Sequence, residues 1–316
     1  MSKTAIGSDD DISPIARRYV DRVCRMQDEL RFHGLAARID GVEQTRVVER
    51  HGVTTVVART CDIPHRYLLG IAGFRLAQYV RLGFMSAPRM ARDALFCEPL
   101  DDLNPDDWHI VCLDSASGEI LGYLELAGNG GPAEPVRANP GRRLFPVEEV
   151  HGIDIFELVD APRHLSTENV REVKRMVHNR AIADRRLRYR VSVELILGTQ
   201  WVAAEATPAM LVVVGDAEAH VALRHIATVG LNPIVLSGTD PRLPDDHLLG
   251  PCYRTRSLVE PFYGEVPGAE ELAHRRAIAE KVVSDPNILA NLRLLVADEL
   301  KSRIVRTSIS RSAQAV

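Results

Sequence analysis

The chain has 316 residues, of which 46% are hydrophobic, and it carries a formal net charge of -4 at pH 7. This length allows one large domain with appendages, or two domains, with a sizeable buried core. The sequence pI of about 6.3 argues against nonspecific DNA binding, because that mode depends on neutralising many phosphates.

The five cysteines are scattered without CxxC or zinc-like spacing, and an odd number is a poor disulfide framework. We therefore expect reduced thiols, no bound metal and a cytoplasmic protein. The sequence contains no apolar run of 18 residues, and its first residues lack the apolar core of a secretory signal. We expect no membrane partner.

The first 50 residues are predicted to form a helical N-terminal extension. Apolar and basic positions alternate over residues 12–39 after an acidic segment, which predicts a helix that ends near Gly41. The β-branched residues at 52–60 predict a strand. Residues 62–85 then predict a helix, with Asp62 near its cap and Pro64 near its first turn.

The clearest local pattern is a β-hairpin. Two strand-like runs, 108–114 and 119–127, are joined by a Ser/Gly turn. Residues 128–146 are rich in Gly and Pro, which predicts a loop.

The rest of the chain alternates predicted strands and helices, with a helical C-terminal extension at 266–316. The order predicts an α/β fold with a central twisted mixed sheet and helices on both faces. The predicted strands are 152–160, 170–177, 209–216 and 232–238, and the predicted helices are 185–206, 217–231, 269–283 and 286–309.

Basic residues are concentrated in one stretch. From Arg171 to Arg190, eight Lys or Arg stand against two acids, although the chain as a whole is negative. This local excess indicates a site more than a general polyanion-binding surface.

Three motifs, in this order along the chain, carry a resemblance to a known family. Together they resemble the GNAT acyltransferases, specifically the acyl-homoserine-lactone synthase and N-acyl amino acid synthase branch, over about residues 52–265. Residues 51–265 are therefore expected to form a GNAT-like acyltransferase domain. The helix "FRLAQYVRLGFM" supplies Arg75, Tyr79 and Phe84, the acidic stretch "EPLDDLNPDDW" supplies Asp101 or Asp102, and the strand "REVKRMV" supplies Glu172 and Arg175.

The chain also departs from the family pattern. Lys174 stands where the family usually has Ser, and Tyr123 and Leu124 follow the hairpin glycine, Gly122, where an Arg is frequent. The resemblance therefore does not carry over a particular substrate.

The resemblance implies acyl transfer from a thioester to an amine. The backbone amide of Met176 or Val177 would donate to the thioester oxygen, and Glu172 would take a proton from the incoming amine. The alternative for Glu172 is a structural ion pair with Lys174, Arg175 or Arg75. His178 is a second candidate base.

The resemblance also implies an acceptor site. The guanidinium groups of Arg175 and Arg75 suit a carboxylate or a carbonyl of the acceptor, because a guanidinium can bind a carboxylate through two parallel hydrogen bonds. The alternative for the two arginines is a salt bridge to Asp101 or Asp102. The expected substrate-binding residues are Arg75, Tyr79, Phe84, Asp101, Asp102 and Arg175.

The donor is expected at "HNRAIADRRLRYR", where GNAT enzymes bind pyrophosphate with a glycine-containing loop. The glycines are missing here, so Arg180, Arg185 and Arg188 would hold the donor at a helix N-terminus. An acyl carrier protein, coenzyme A and an aminoacyl-tRNA all remain open as carriers, and no tightly bound cofactor is expected. The alternative is a solvated basic helix face, which we favour for Arg186 and Arg190.

Two classes of function follow. The preferred one is an N-acyltransferase of secondary metabolism that uses acyl-ACP or acyl-CoA and the amine of an amino acid or related metabolite. An aminoacyl-tRNA-dependent transferase keeps the fold and changes the donor. The second class is a catalytically degenerate GNAT-like binding protein, which would bind ligand without turnover.

Overall fold

The computed structural model describes residues 12–101, 103–218, 226, 228–244, 246–255, 259–296 and 305–308. Within them, the strands are β1 (Arg46–Arg50), β2 (Val53–Arg59), β3 (Trp108–Asp114), β4 (Ile120–Ala127), β5 (Val170–His178), β6 (Val212–Glu218), β7 (Ile234–Ser237), β8 (Val259–Glu265) and β9 (Val305–Ser308).

The helices surround these strands. They are α1 (Pro14–Glu29), α2 (His33–Ile39), α3 (His65–Arg81), α4 (Ala87–Arg92), α5 (Pro146–His151), α6 (Ile155–Leu158), α7 (Arg185–Glu205), α8 (Gly250–Thr255), α9 (Ala269–Val283) and α10 (Ile288–Asn291). Short 3₁₀ turns occupy Thr60–Asp62, Thr167–Asn169 and Leu292–Val296. Within the described ranges, no helix is long and apolar enough to cross a membrane.

The described strands form one sheet in the order β1-β2-β3-β4-β5-β6-β8-β7-β9. The neighbours β5 and β6 are parallel, as are β7 and β9, and the other neighbouring pairs are antiparallel. The predicted mixed sheet flanked by helices is confirmed.

Both faces of the sheet are buried, and alternation along each strand divides the core. Val57 and Val213 belong to the cluster that packs with α7, whereas Val56 and Val214 belong to clusters on the opposite face. On that opposite face, α3 covers the first half of the sheet and α5 with α6 covers the second. The residues of the helix motif and Val177 of β5 therefore lie on the α3 face, whereas Met176 lies on the α7 face.

The helix predicted over 12–39 is interrupted. Ser13 caps α1 through its hydroxyl, which accepts from the N–H of Ala16 at 3.2 Å. The chain leaves the helix at Leu30, which is extended, and the N–H of Phe32 donates to the carbonyl of Gly118 at 2.7 Å. This break buries the side chain of Phe32 against α3, so two helices form in place of one.

The strand predicted at 152–160 is wrong. Asp154 accepts hydrogen bonds from the N–H groups of Phe156 and Glu157 and begins α6. A short helix places Ile155 and Phe156 in the core together, which an alternating strand would not do.

Strands β1, β8 and β9 were not predicted from the sequence. Pro261 and Gly264 argue against a strand locally, yet β8 pairs with β6 over its whole length. The ladder with β7 covers only Phe262 and Tyr263, so Pro261 lies beyond it. β9 occupies part of the helix predicted at 286–309, and β1 falls within the extension expected to be helical at 1–50.

Candidate active site

The parallel strands β5 and β6 separate soon after they meet. Their ladder pairs 170–172 with 212–214. Beyond it, β5 stays with β4 and β6 stays with β8. We call the region between 174–178 of β5 and 216–218 of β6, where no ladder joins the two strands, the cleft. One edge of β5, the strand that carries Glu172, Met176 and Val177, has no ladder partner there among the described strands.

A β-bulge shapes β5 beside the cleft. Tyr123 pairs with Val177 and Glu125 pairs with Lys174, so Arg175 and Met176 together oppose the single residue Leu124. Arg175 takes a left-handed conformation, with φ of 56°. Such a conformation costs a non-glycine residue about 1–3 kcal/mol and is concentrated at functional sites. The bulge re-aims the arginine that the motif singled out.

Glu98 holds both motif arginines. Arg75 donates to it from Nε at 3.2 Å and from Nη2 at 2.6 Å, and Arg175 donates from Nε at 2.9 Å. Glu98 is 3% exposed. Burial by itself would raise the pKa of this carboxyl, but Arg175 and Arg75 lower it below its ordinary value. Glu98 is therefore a buried carboxylate shared by two guanidiniums.

Asp101, one of the expected acidic partners, does not meet the two arginines. Asp101 is exposed, and Asp102 lies outside the described residues. The acid that meets Arg75 and Arg175 is Glu98, at the start of the same acidic stretch. Its backbone N–H donates to the carbonyl of Ala72 on α3 at 3.2 Å, which positions its side chain inside.

A buried hydrogen-bond network continues from Arg75 along β3 and β4. Arg75 donates to Glu125 at 2.7 Å and to the hydroxyl of Tyr123 at 3.3 Å. Tyr123 also lies 2.6 Å from Nδ1 of His109, whose Nε2 is 2.8 Å from the hydroxyl of Thr60.

The network has defined charges. Burial lowers the pKa of His109 to about 4, which keeps its ring neutral at pH 7. Burial would raise the pKa of Glu125, but Arg75 and other nearby cations bring it to about 2. Arg75 is 4% exposed, and all three of its guanidinium nitrogens donate to protein groups. It holds carboxylates in place and has little capacity for a substrate.

The aromatic motif residues flank Arg175. Its guanidinium lies 5.9 Å from the ring centre of Tyr79, and that ring lies 6.0 Å from the ring of Phe84. The side chain of Arg175 is 23% exposed. The structure thus brings Arg75, Tyr79, Phe84 and Arg175 together around Glu98.

Glu172 is buried without an ion pair among the described residues. It is 6% exposed, and its Oε2 accepts from the N–H of Val147 at 3.1 Å. Arg75 and Arg175 are bound to Glu98 instead, and no nitrogen of Lys174 lies within 4.0 Å of a Glu172 oxygen. Burial raises the pKa of Glu172 to about 7, although Lys174 and the Val147 hydrogen bond oppose the shift.

A group of polar residues next to Glu172 was not predicted. Asp216 lies two positions beyond Val214, the β6 partner of Glu172, so both acids are on one face. Asp216 binds Nε2 of His151 at 2.7 Å and accepts from the hydroxyl of Tyr253 at 2.7 Å. Its negative charge contributes to the raised pKa of Glu172.

No local motif marked this group, because β6, α5 and α8 supply its members from distant parts of the chain. Nδ1 of His151 lies 2.8 Å from the hydroxyl of Thr239. The "VVVGD" run that ends at Asp216 predicts a strand, but it does not by itself mark a site.

The remaining candidate residues of β5 are divided between the two faces of the sheet. Met176 packs against the α7 cluster, and Nε2 of His178 lies 3.0 Å from the hydroxyl of Ser192 on α7. Val177 packs beside Tyr123 on the α3 face. Met176 and Val177 both lie along the cleft, where their backbone amides were expected to act.

The expected donor arginines lie on the surface at the turn into α7. Arg180, Arg185 and Arg188 are exposed. The N-terminus of α7 is already capped, since Asp184 accepts from the N–H of Arg186 at 2.8 Å. Arg190, expected on a solvated face, is 5% exposed and donates to the carbonyl of Asp285 at 3.0 Å. That expectation was wrong, because α10 and the end of α9 cover this side of α7.

The described residues include no group of three or more His, Cys, Asp or Glu side chains that could hold a metal ion.

Comparisons with solved structures return acyltransferases. MesI, a CoA-dependent acyl-homoserine lactone synthase, is 14% identical over 68% of this chain and 88% of its own, with a TM-score of 0.39. BjaI, another CoA-dependent acyl-homoserine lactone synthase, solved with SAM and isopentyl-CoA, is 12% identical over 83% of this chain and 95% of its own, with a TM-score of 0.42.

A cAMP-binding acyltransferase from Mycobacterium smegmatis is 10% identical over 90% of this chain and 61% of its own, with a TM-score of 0.28. Neither a protein-family model nor a curated protein matches the chain. The likeness to solved structures concerns the fold and does not extend to substrates.

Proposed function

We propose that this protein is an N-acyltransferase that moves an acyl group from a thioester to the amine of an amino acid or related metabolite. The observation that carries the proposal is Glu172, a buried carboxyl with no ion pair among the described residues, at the mouth of the cleft. A pKa of about 7 suits a general base that works at neutral pH.

In the proposed reaction, β5 supplies both the base and the backbone hydrogen-bond donor. The thioester would enter the cleft, where the N–H of Met176 or Val177 donates to its carbonyl oxygen as negative charge develops. Glu172 takes a proton as the amine attacks the carbonyl carbon. The C–N bond forms, the C–S bond breaks, and the proton passes to the leaving thiolate.

Arg175 would bind a carboxylate of the acceptor. Its Nε is bound to Glu98, while its side chain remains partly exposed beside Tyr79. Arg75 would act through Glu98, which it holds in place for Arg175. All three guanidinium nitrogens of Arg75 already donate to protein groups. This supports a positioning role for Arg75 over the direct substrate contact that its motif predicts.

The donor would be an acyl group on phosphopantetheine, as acyl-ACP or acyl-CoA. The exposed Arg180, Arg185 and Arg188 support contact with the phosphates of such a carrier through side chains. The cap formed by Asp184 leaves the helix N-terminus less able to bind phosphate by itself.

The test is thiol release from purified protein given acyl-CoA or acyl-ACP with a panel of amines, followed by mass spectrometry of the product. Glu172→Gln should lower the rate by at least about 100-fold, the contribution of a general base. The matched control is Glu149→Gln, at an exposed position on α5, and it should keep wild-type activity.

Arg175→Ala should raise KM for the acceptor. Arg186→Ala, which removes an exposed arginine of α7, should leave that KM unchanged. Acceptor binding without thiol release from any thioester would favour a catalytically inactive binding protein. Activity that depends on charged tRNA and is destroyed by ribonuclease would replace the thioester donor with an aminoacyl one.

A further inference from the structure

A polar cavity of about 380 Å³ lies where β4 ends and β5 begins, at the opposite end of β5 from the cleft. Its volume falls in the range of small-molecule sites, roughly 300–1,000 Å³. Its lining includes Arg59, Asn104, Asp106, Trp108, Glu168 and Arg171. The glycine-rich loop 128–131 closes one side.

Arg171 is a buried cation in this lining. It is 6% exposed, and within the described chain no carboxylate oxygen lies within 4.0 Å of its guanidinium. Its Nη1 donates to the carbonyls of Glu168 and Val170, both at 2.8 Å. Its Nε is buried without a hydrogen-bond partner.

The two carbonyls thus both accept from Nη1. The edge of the guanidinium formed by Nε and Nη2 is left for a ligand. That edge is the one that binds a carboxylate through two parallel hydrogen bonds. Burial lowers the pKa of Arg171, and the acids of the lining, Asp107 first, oppose that shift from beyond salt-bridge distance. A buried cation with no carboxylate in direct contact is costly, so an anion on this edge would be favoured.

The fully buried acid of the lining is held by groups other than Arg171. Asp107 is fully buried and accepts from the N–H groups of Asn104 and Gly128, both at 2.8 Å. It holds the two loops together.

The rim carries two carboxylates, Asp106 and Glu168, beside Arg59, whose guanidinium is bound to Asp62 at 3.1 Å. Asp106 is 77% exposed and only 4.0 Å from Arg59, and Glu168 is exposed. These carboxylates disfavour a multiply charged anion such as phosphate and favour a ligand that also carries an ammonium group.

This cavity is separate from the candidate active site. Arg171 and Glu172 are consecutive on β5 and so face opposite sides of the sheet. Val173 and Met176 on the Arg171 side pack with the α7 cluster, whereas Glu172 meets Val147 of α5.

We propose that this cavity is a binding site for a small zwitterion of amino-acid size, with its carboxylate on Arg171 and its ammonium toward Asp106 and Glu168. The inference does not rest on the proposed acyl transfer. The binding measurement requires no turnover, so the two proposals fail independently.

The experiment is calorimetric titration of the full chain with each of the twenty protein amino acids, and separately with succinate and inorganic phosphate. At least one amino acid should bind saturably and more tightly than either anion. Arg171→Gln should weaken that binding by at least about tenfold, since a charged hydrogen-bonded pair is lost.

Ala133→Trp provides a second variant that leaves Arg171 intact. Ala133 is exposed and lines the cavity, so an indole there should block entry and abolish binding in a folded protein. Glu172→Gln should bind the amino acid like wild type. Absence of binding by every amino acid, equal binding of succinate or phosphate, or full binding by folded Arg171→Gln or Ala133→Trp would overturn the proposal.

Discussion

Glu172→Gln should stabilise the protein while it removes activity, and the gain should depend on pH. The amide keeps an oxygen for the N–H of Val147, which donates to Glu172 at 3.1 Å, and it cannot ionise. The substitution therefore isolates the cost of a buried negative charge.

The magnitude follows from the shift in pKa, from 4.5 to about 7. Each unit corresponds to about 1.36 kcal/mol, so ionised Glu172 lowers the free energy of unfolding by about 3 kcal/mol. The sign is that of a raised pKa: below pH 4.5 the carboxyl is protonated in both states and costs nothing. Stability is lost as pH rises from 4.5 to about 7, and the loss is complete above that.

The assay is urea unfolding of wild type and variant at half-unit steps from pH 4.5 to 8. The stability difference, variant minus wild type, should grow by about 3 kcal/mol across this range and then level off. Glu149→Gln controls for the chemical change alone. A difference that stays constant with pH would refute the burial argument for Glu172 and, with it, the basis for its role as a base.

Other predictions concern packing, charge and catalysis. Glu98→Gln should destabilise by about 3 kcal/mol in urea unfolding, the lower end for breaking a buried ion pair, because buried Arg75 keeps only Glu125 as a counter-charge and the partly exposed Arg175 loses its bond to Glu98; a loss below 1 kcal/mol would contradict this. Arg175→Gly should be about 1 kcal/mol more stable than Arg175→Ala, since glycine tolerates the φ of 56°, and equal stabilities would argue against the bulge. Gly122→Ala should cost about 1–3 kcal/mol, because the added Cβ would lie 2.4 Å from a methyl of Val191 on α7; thermal melts would show it. The acyl-transfer rate should rise with pH through about 7 as Glu172 loses its proton, and a rate independent of pH between 6 and 8 would exclude it as the base.

The parts of the fold that could be predicted are those with strong local patterns. The hairpin of β3 and β4 has a turn signal between two apolar runs, and β5 and α7 each show the periodicity of their element. These signals depend on neighbours in sequence. α6 was missed because four residues are too few to show a helical period, and β8 because Pro261 and Gly264 mask a strand that pairs on both sides.

The candidate site was predictable only in part for a similar reason. The acidic stretch offers several carboxylates in a loop without periodicity, so nothing local indicated that Glu98 would turn inward while Asp101 stayed exposed. The backbone contact of Glu98 with Ala72 decides that choice. His151 and Tyr253 meet Asp216 from distant segments, which a reading along the chain cannot detect.

The amino-acid sequence by itself determined that Glu172 and Arg175 would share a strand with apolar neighbours and that a basic turn would follow. Those features depend on residues a few positions apart. Only the tertiary structure decided the bulge at Arg175, the separation of β5 from β6 and the absence of an ion pair at Glu172 within the described chain. Each of these features depends on the register between strands and on which charged residues, distant in sequence, are buried next to one another. Both are determined only when the chain folds.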